Sequence, residues 1–239
     1  ALMMRLSRTV LLLAFALAAG ARAAAAQTIP SPYDYLEQTQ GAGVFAGYLF
    51  ADPDLSLTDS TSLPIAPASG PVFGLRYQVR AAGPLYIEGS VGVSPTDRRL
   101  FAPRTDADSA GGRDLGATVP ATLVMGDVAL RFFVTGPRTW NGLAPFVVGT
   151  GGLAGDVRGS FDEEEEIAPE ARFRFGPAFA VGAGLGTDWY PVPRASLRFE
   201  VMGRLRRMRT PGGFLPTARD ARSEWNPAVG ITLGGALHF

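Results

Sequence analysis

Residues 173–189 read Phe-Arg-Phe-Gly-Pro-Ala-Phe-Ala-Val-Gly-Ala-Gly-Leu-Gly-Thr-Asp-Trp. Phe173, Phe175, Phe179, Val181, Leu185 and Trp189 fall on one parity, whereas Arg174, Gly176, Ala180, Gly182, Gly184, Gly186 and Asp188 fall on the other. Side chains of a strand alternate between faces, so this stretch predicts a long strand with one apolar face and one face of small and charged residues.

The same period returns along the chain. It runs through Phe73 to Val79, with Arg76 and Gln78 on the polar parity, and through Leu85 to Val93, with Glu88 there. Val124 to Val134 places Asp127 and Arg131 on that parity, and Ala195 to Leu205 places Arg198, Glu200 and Arg204 on it. Val229 to Phe239 closes the series. Weaker alternation at Gly41 to Phe50 and at Leu143 to Ala154 brings the expected total to eight; Phe146 and Val147 leave the facing of the latter open. Connections alternate in length. Short Gly- or Pro-bearing turns fall at Ala81 to Pro84, Gly136 to Gly142 and Pro191 to Arg194, and long polar segments at Ala51 to Gly70, Ser94 to Pro120, Gly155 to Glu170 and Met208 to Asn226. An even number of strands with short turns on one rim and long loops on the other is the plan of an outer-membrane barrel. The predicted fold class is therefore all-β, an eight-stranded antiparallel up-and-down transmembrane β-barrel with short periplasmic turns and long extracellular loops.

Period two does not say whether the apolar face points in or out, and a secreted lipocalin-like binder would have it inward. Three features favour outward. The alternate face is crowded with Gly and Ala, as the cramped lumen of a small barrel requires; its charges come in both signs; and aromatic residues gather near strand ends. Tyr77, Phe132, Trp140, Trp189, Tyr190 and Phe239 lie toward the short turns, and Phe50, Phe73, Phe173, Phe175, Phe214 and Trp225 toward the loops, as two interfacial girdles would be.

Composition excludes much else. The 239 residues contain no Cys and one His, and all 22 cationic side chains are Arg. Disulfides, thiolate metal sites and Cys nucleophiles are ruled out. Residues 1–26 read as a signal peptide: Arg5 and Arg8 form a basic start, Val10 to Ala19 an apolar core too short to span, and Ala24 to Ala26 a small-residue cleavage site. Removing them leaves a mildly acidic chain with no basic stripe for nucleic acid. Residues 27–40 are expected to be a periplasmic lead segment and 41–239 the barrel domain.

The terminal strand, alternating apolar residues and ending in Phe239, looks like the signal by which the barrel-assembly machinery recognises its clients. With the signal peptide and eight spans, the chain resembles the OmpA-like and OmpW-like family of small bacterial outer-membrane barrels. The resemblance covers Gly41 to Phe239 and lies in pattern and terminus. It implies outer-membrane residence as a monomer, contact with outer-membrane lipid and lipopolysaccharide, periplasmic chaperones during biogenesis, and no cofactor. OmpA adds a peptidoglycan-binding domain after its barrel, which is not carried over to a sequence that here stops at Phe239.

Several stretches have motif-like character. Gly149 to Gly155 superficially matches a dinucleotide turn, but no helix opening follows. Asp106 to Gly111 offers part of a calcium loop but has Ala110 where an oxygen ligand belongs. The run Asp162, Glu163, Glu164, Glu165, Glu166 is a solvated acidic loop that could hold a divalent cation or join the cations bridging lipopolysaccharide phosphates. Arg204 and Arg206 fit the lumen, whereas Arg207 and Arg209 could meet lipopolysaccharide phosphate. No confident metal site emerges. His238 falls at the short-turn rim, opposite the side where lipid-A-modifying barrels place their His, so no enzyme is expected.

The site predicted most sharply is a lumen charge network of Arg76, Glu88, Asp127, Arg131, Asp188, Arg198 and Glu200. Arg80 opposite Pro84 would set Arg76 across from Glu88, and Tyr190 opposite Ser196 would set Asp188 across from Arg198. Paired charges would plug the lumen, giving a structural, adhesive or surface-interaction role. The alternatives are a narrow channel or OmpW-like transporter of small apolar solutes and the secreted binder.

Overall fold

The computed structural model describes residues 31–54, 66–103, 112–157, 167, 172, 176–209, 214 and 223–239. Among these residues ten strands form: β1 (Tyr33–Tyr35), β2 (Gln40–Ala51), β3 (Gly70–Ala82), β4 (Leu85–Pro103), β5 (Gly112–Phe133), β6 (Arg138–Trp140), β7 (Leu143–Asp156), β8 (Ala178–Val192), β9 (Ala195–Arg209) and β10 (Ser223–His238). Eight of them close a ring in the order β2, β3, β4, β5, β7, β8, β9, β10, every pair antiparallel; β10 pairs with β2, and β7 with β8. A closed ring leaves no unpaired edge, the condition for strands to sit in hydrocarbon.

The apolar parity faces out. Leu75 is 65% exposed, Leu185 62% and Leu233 64%, while Arg76, Asp188 and Gly234 beside them turn inward. A water-soluble binding barrel has the reverse arrangement, because large contiguous apolar surface is not left in water. On β7, Ala144, Phe146 and Val148 point in and Val147 points out, which settles the facing that the sequence left open. Tyr77, Phe132, Trp140, Trp189, Phe239, Phe50 and Phe73 are exposed; Trp225 is half-buried, and two further expected girdle members turn to the interior. Phe214 is buried in the interior, and Tyr190 packs against an inner cluster. Phe173 and Phe175 lie outside the described residues.

Three further differences have physical causes. The stretch Ser94 to Pro120, expected to be a loop, is mostly hairpin: β4 runs 19 residues and β5 22, about twice what a tilted span needs. Beyond Val93 the outward residues become Pro95, Asp97 and Arg99, opposed on β5 by Thr118 and Pro120, while Thr96, Arg98 and Leu100 stay buried. Polar residues replace apolar ones on the outer face, which erases the alternation that marks a membrane span without ending the strand. Second, β8 starts at Ala178, after Pro177, which has no N–H to give a ladder. Third, Asn141 and Gly142 both have positive φ, the geometry of a two-residue type I′ turn, and join β6 to β7 with Trp140 opposite Leu143. That turn creates β6, and β6 gives the lead segment a partner: Tyr33, Asp34 and Tyr35 pair with Trp140, Thr139 and Arg138. Arg80 strengthens the attachment, donating to the carbonyls of Gln38, at 2.9 Å, and of Leu36. The signal-peptide reading of 1–26, the acidic run Asp162 to Glu166 and the Asp106 to Gly111 stretch lie outside the described residues.

Candidate functional site: the barrel lumen

Inward residues of β3, β4, β5, β8 and β9 build an ionic layer near the short-turn rim. Arg198 of β9 reaches across the lumen: its Nη1 is 2.6 Å from Glu88 Oε2 on β4. These strands stand four places apart in the ring of eight, on opposite walls, so the contact bridges the lumen along a diameter. Arg198 Nε also meets Asp188 Oδ1 at 2.7 Å, and Arg131 Nη2 meets Asp188 Oδ2 at 3.0 Å. Arg131 lies 3.4 Å from Glu88, and Arg76 lies 4.0 Å from Glu88 and 3.7 Å from Glu200. Three guanidinium groups thus interleave with three carboxylates. Arg131 and Asp188 are 0% exposed, so each is tolerable there because an opposite charge is in contact.

Aromatic rings flank these charges, Phe133 and Phe146 on the short-turn side and Phe45 on the loop side. The Arg131 guanidinium sits 4.0 Å from the Phe146 ring centre and 4.8 Å from that of Phe133, and Arg76 sits 4.6 Å from that of Phe45. Glycine makes the room. A Cβ at Gly186 would stand 2.5 Å from the Phe146 ring, and one at Gly74 would stand 2.3 Å from that of Phe45.

The register differs from that expected on one hairpin. Arg76 is opposite Ser90, and Gln78 is opposite Glu88, because the hairpin turns at Gly83 and Pro84 with Ala82 opposite Leu85, and after a one-residue bulge Arg80 stands opposite Tyr86 instead of Pro84. Arg76 meets Glu88 diagonally. The β8–β9 hairpin does set Asp188 across from Arg198. Asp127 stands apart from the layer: its partner is Arg204 Nη1, at 2.7 Å.

Sequence reasoning missed Gln78, although it stood on the polar parity. Its Oε1 accepts from Arg198 Nη2 at 2.8 Å and also from Arg131 Nη1. That orients its amide nitrogen toward His238 Nδ1, 3.5 Å away. An amide nitrogen donates and does not accept, so in a neutral ring His238 carries its proton on Nε2 and donates it to Ser196 Oγ at 2.8 Å. A Ser nucleophile needs the reverse arrangement, with the imidazole accepting.

The loop-side half of the lumen has different contents. Leu49, Val72, Leu123, Met125, Ala154, Met208 and Ala228, from six strands around the ring, belong to one contact cluster with Leu100, Phe101 and Val119. Leu49, Val72, Leu123, Met125, Ala154, Met208 and Ala228 are each 5% exposed or less, so the bore is filled at this level. Ala66, Ile167 and Phe214, from three of the long connections, join it. Arg206, 1% exposed, lies here and donates to Asn226 Oδ1 at 2.7 Å, and Asn226 Nδ2 in turn donates to the Asp52 carbonyl at 3.1 Å. Arg207 is exposed and its Nε donates to Ser223 Oγ at 2.9 Å, while Arg209 pairs with Ser223 at the end of β9. Phe239 is exposed, its backbone paired with Gln40 at the short-turn rim. Among the described residues no cluster of His, Cys, Asp or Glu is disposed to hold a metal.

No family model and no curated protein matches this sequence. Among solved structures the chain is similar to the outer membrane protein OprG from Pseudomonas aeruginosa, with 11% identity and a TM-score of 0.51 over 84% of this chain and 97% of that one. It also aligns with Neisserial surface protein A, at 13% identity and a TM-score of 0.47 over 87% and 98% of the two chains. For Escherichia coli outer membrane protein W the figures are 12% and 0.47 over 85% and 100%. At these identities the OprG likeness speaks to fold alone. The fold is that of the small outer-membrane β-barrels, reached independently from ring closure and the outward apolar face.

Proposed function

We propose that this chain is an integral bacterial outer-membrane barrel whose lumen is plugged and whose role is structural, adhesive or surface-interaction. The observation that carries the reading is the 2.6 Å contact between Arg198 and Glu88 on opposite walls, within a layer of alternating charges that obstructs the bore. Unpaired charges there would carry a large desolvation penalty, so the layer is expected to stay shut. The prolonged β4–β5 hairpin supports a surface role, because it carries structured polar surface beyond the apolar belt. The short-turn rim then faces the periplasm. Phe239, exposed at that rim, would serve the barrel-assembly machinery and the periplasmic chaperones, and Arg207 and Arg209, at the loop end of β9, would meet lipopolysaccharide phosphate. No catalytic role and no cofactor are proposed, and the barrel is taken to work as a monomer.

The test is fractionation of cells expressing the full chain, with gel mobility of unheated and heated samples. A heat-modifiable band in the outer membrane is expected. Recovery of soluble protein from periplasm or medium would refute the reading.

A further inference from the structure

We infer that the lumen is shut twice, by two seals in series, and that a hydrated chamber lies enclosed between them. The inference rests on the plugged-barrel reading and goes beyond it.

The order of inward residues along each strand sets out the arrangement. On β4, Glu88 of the ionic layer is followed by Ser90 and Gly92, and then by Ser94, Thr96, Arg98 and Leu100. On β9, Arg198 and Glu200 precede Met202 and Arg204, and Arg206 and then Met208 of the apolar cluster come last. On β5, taken from the short-turn end, Arg131 is followed by Asp127, then Met125 and Leu123. The middle members of these three series line one cavity. Glu200, Asp127 and Thr232 face it from one side, and Leu49, Val72 and Met125, the first layer of the apolar cluster, face it from the other. It leaves about 30 Å³ for the centres of water molecules, and at roughly 10–15 Å³ each this is room for about two.

Two buried polar atoms of the lining, Glu200 Oε2 and Thr232 Oγ1, have no hydrogen-bond partner within the protein. Buried polar atoms are rarely left unpaired, so the cavity contains something that bonds to them. Charge identifies the occupant. Glu200 already faces Arg76, and Asp127 is held by Arg204, so the surrounding charges balance and a neutral, small donor fits where an ion would not. That occupant is water. The layer above, apolar side chains packed around the buried Arg206, closes the bore by filling it, and the ionic layer below closes it by pairing. Removing one seal therefore leaves the other shut.

The chain contains no Cys, so Ser90→Cys places a single thiol in the chamber. Its modification by a small cationic methanethiosulfonate reagent is measured in vesicles holding the refolded full chain, with reagent on either side, against an exposed Thr118→Cys control. Planar-bilayer conductance is measured in parallel. With both seals intact, Ser90→Cys should react at least about tenfold more slowly than the control. Adding Glu88→Ala should admit reagent from the short-turn side alone. Adding Leu123→Ser with Met125→Ser should admit it from the loop side alone, and steady conductance should appear when all three substitutions are combined. Folding is checked by heat-modifiable mobility, with Glu88→Gln replacing Glu88→Ala if the latter does not fold. Steady conductance from the Glu88 variant alone, or fast labelling of Ser90→Cys with both seals intact, would overturn the series arrangement. A large wild-type conductance would refute the plugged-barrel reading itself.

Discussion

The two halves of the lumen are enclosed by the same eight strands and filled by opposite chemistries. Near the short turns, Arg76, Arg131 and Arg198 interleave with Glu88, Asp188 and Glu200; toward the loops, buried Leu49, Val72, Leu123 and Met125 pack in the same bore, around the one guanidinium of Arg206 held by Asn226. Strand period fixes which residues point inward but not what they must be. A lumen too narrow for bulk water can be filled by matched charges or by apolar side chains. The halves should nevertheless respond differently to substitution. Ionic packing is directional and depends on every member, whereas apolar packing depends chiefly on volume.

The largest effect should follow from Asp188→Ala. It leaves Arg131 and Arg198 without their shared carboxylate in a fully buried site and should lower stability by about 3–5 kcal/mol in urea titrations of the detergent-refolded barrel. In the other half, Leu123→Ala removes a side chain that is 1% exposed and should lower stability by about 2–4 kcal/mol through the cavity left behind. Conservative changes sharpen the contrast. Arg198→Lys retains the charge but loses the fork that reaches Glu88, Asp188 and Gln78 together, and a loss of about 1.5–3 kcal/mol is expected. Met125→Leu, which nearly conserves volume, should lower stability by less than about 1.5 kcal/mol. Equal losses for Arg198→Lys and Met125→Leu would remove the distinction between the halves.

The ring and its facing were legible because a membrane makes the outer face uniformly apolar, and period two then stands out in spans such as Leu85 to Val93. That signal vanishes where the membrane ends. Beyond Val93 the outer residues turn polar, so the rest of β4 read as loop. The members of the ionic layer were readable from parity and height above the turns, but their partners were not. A turn at Gly83 and Pro84, in place of one closing Arg80 on Pro84, set Arg76 opposite Ser90, and side chains reaching across the bore replaced the hairpin neighbours that cross-strand reasoning supplies. One further step was available: in a ring of eight, each strand faces the fourth one on, which places Glu88 opposite Arg198. The apolar half was hidden for another reason. Inward Leu123 and Met125 interrupt the polar parity, and their partners Ile167 and Phe214 come from segments with no period at all.

The claim that the bore is shut is tested most directly by planar-bilayer conductance of the refolded wild-type barrel. Charges bridging opposite walls and an apolar layer above them predict that insertion gives no steady current, with at most small, flickering events. A large, steady conductance from the wild-type barrel would contradict the account and would identify the lumen as an open path.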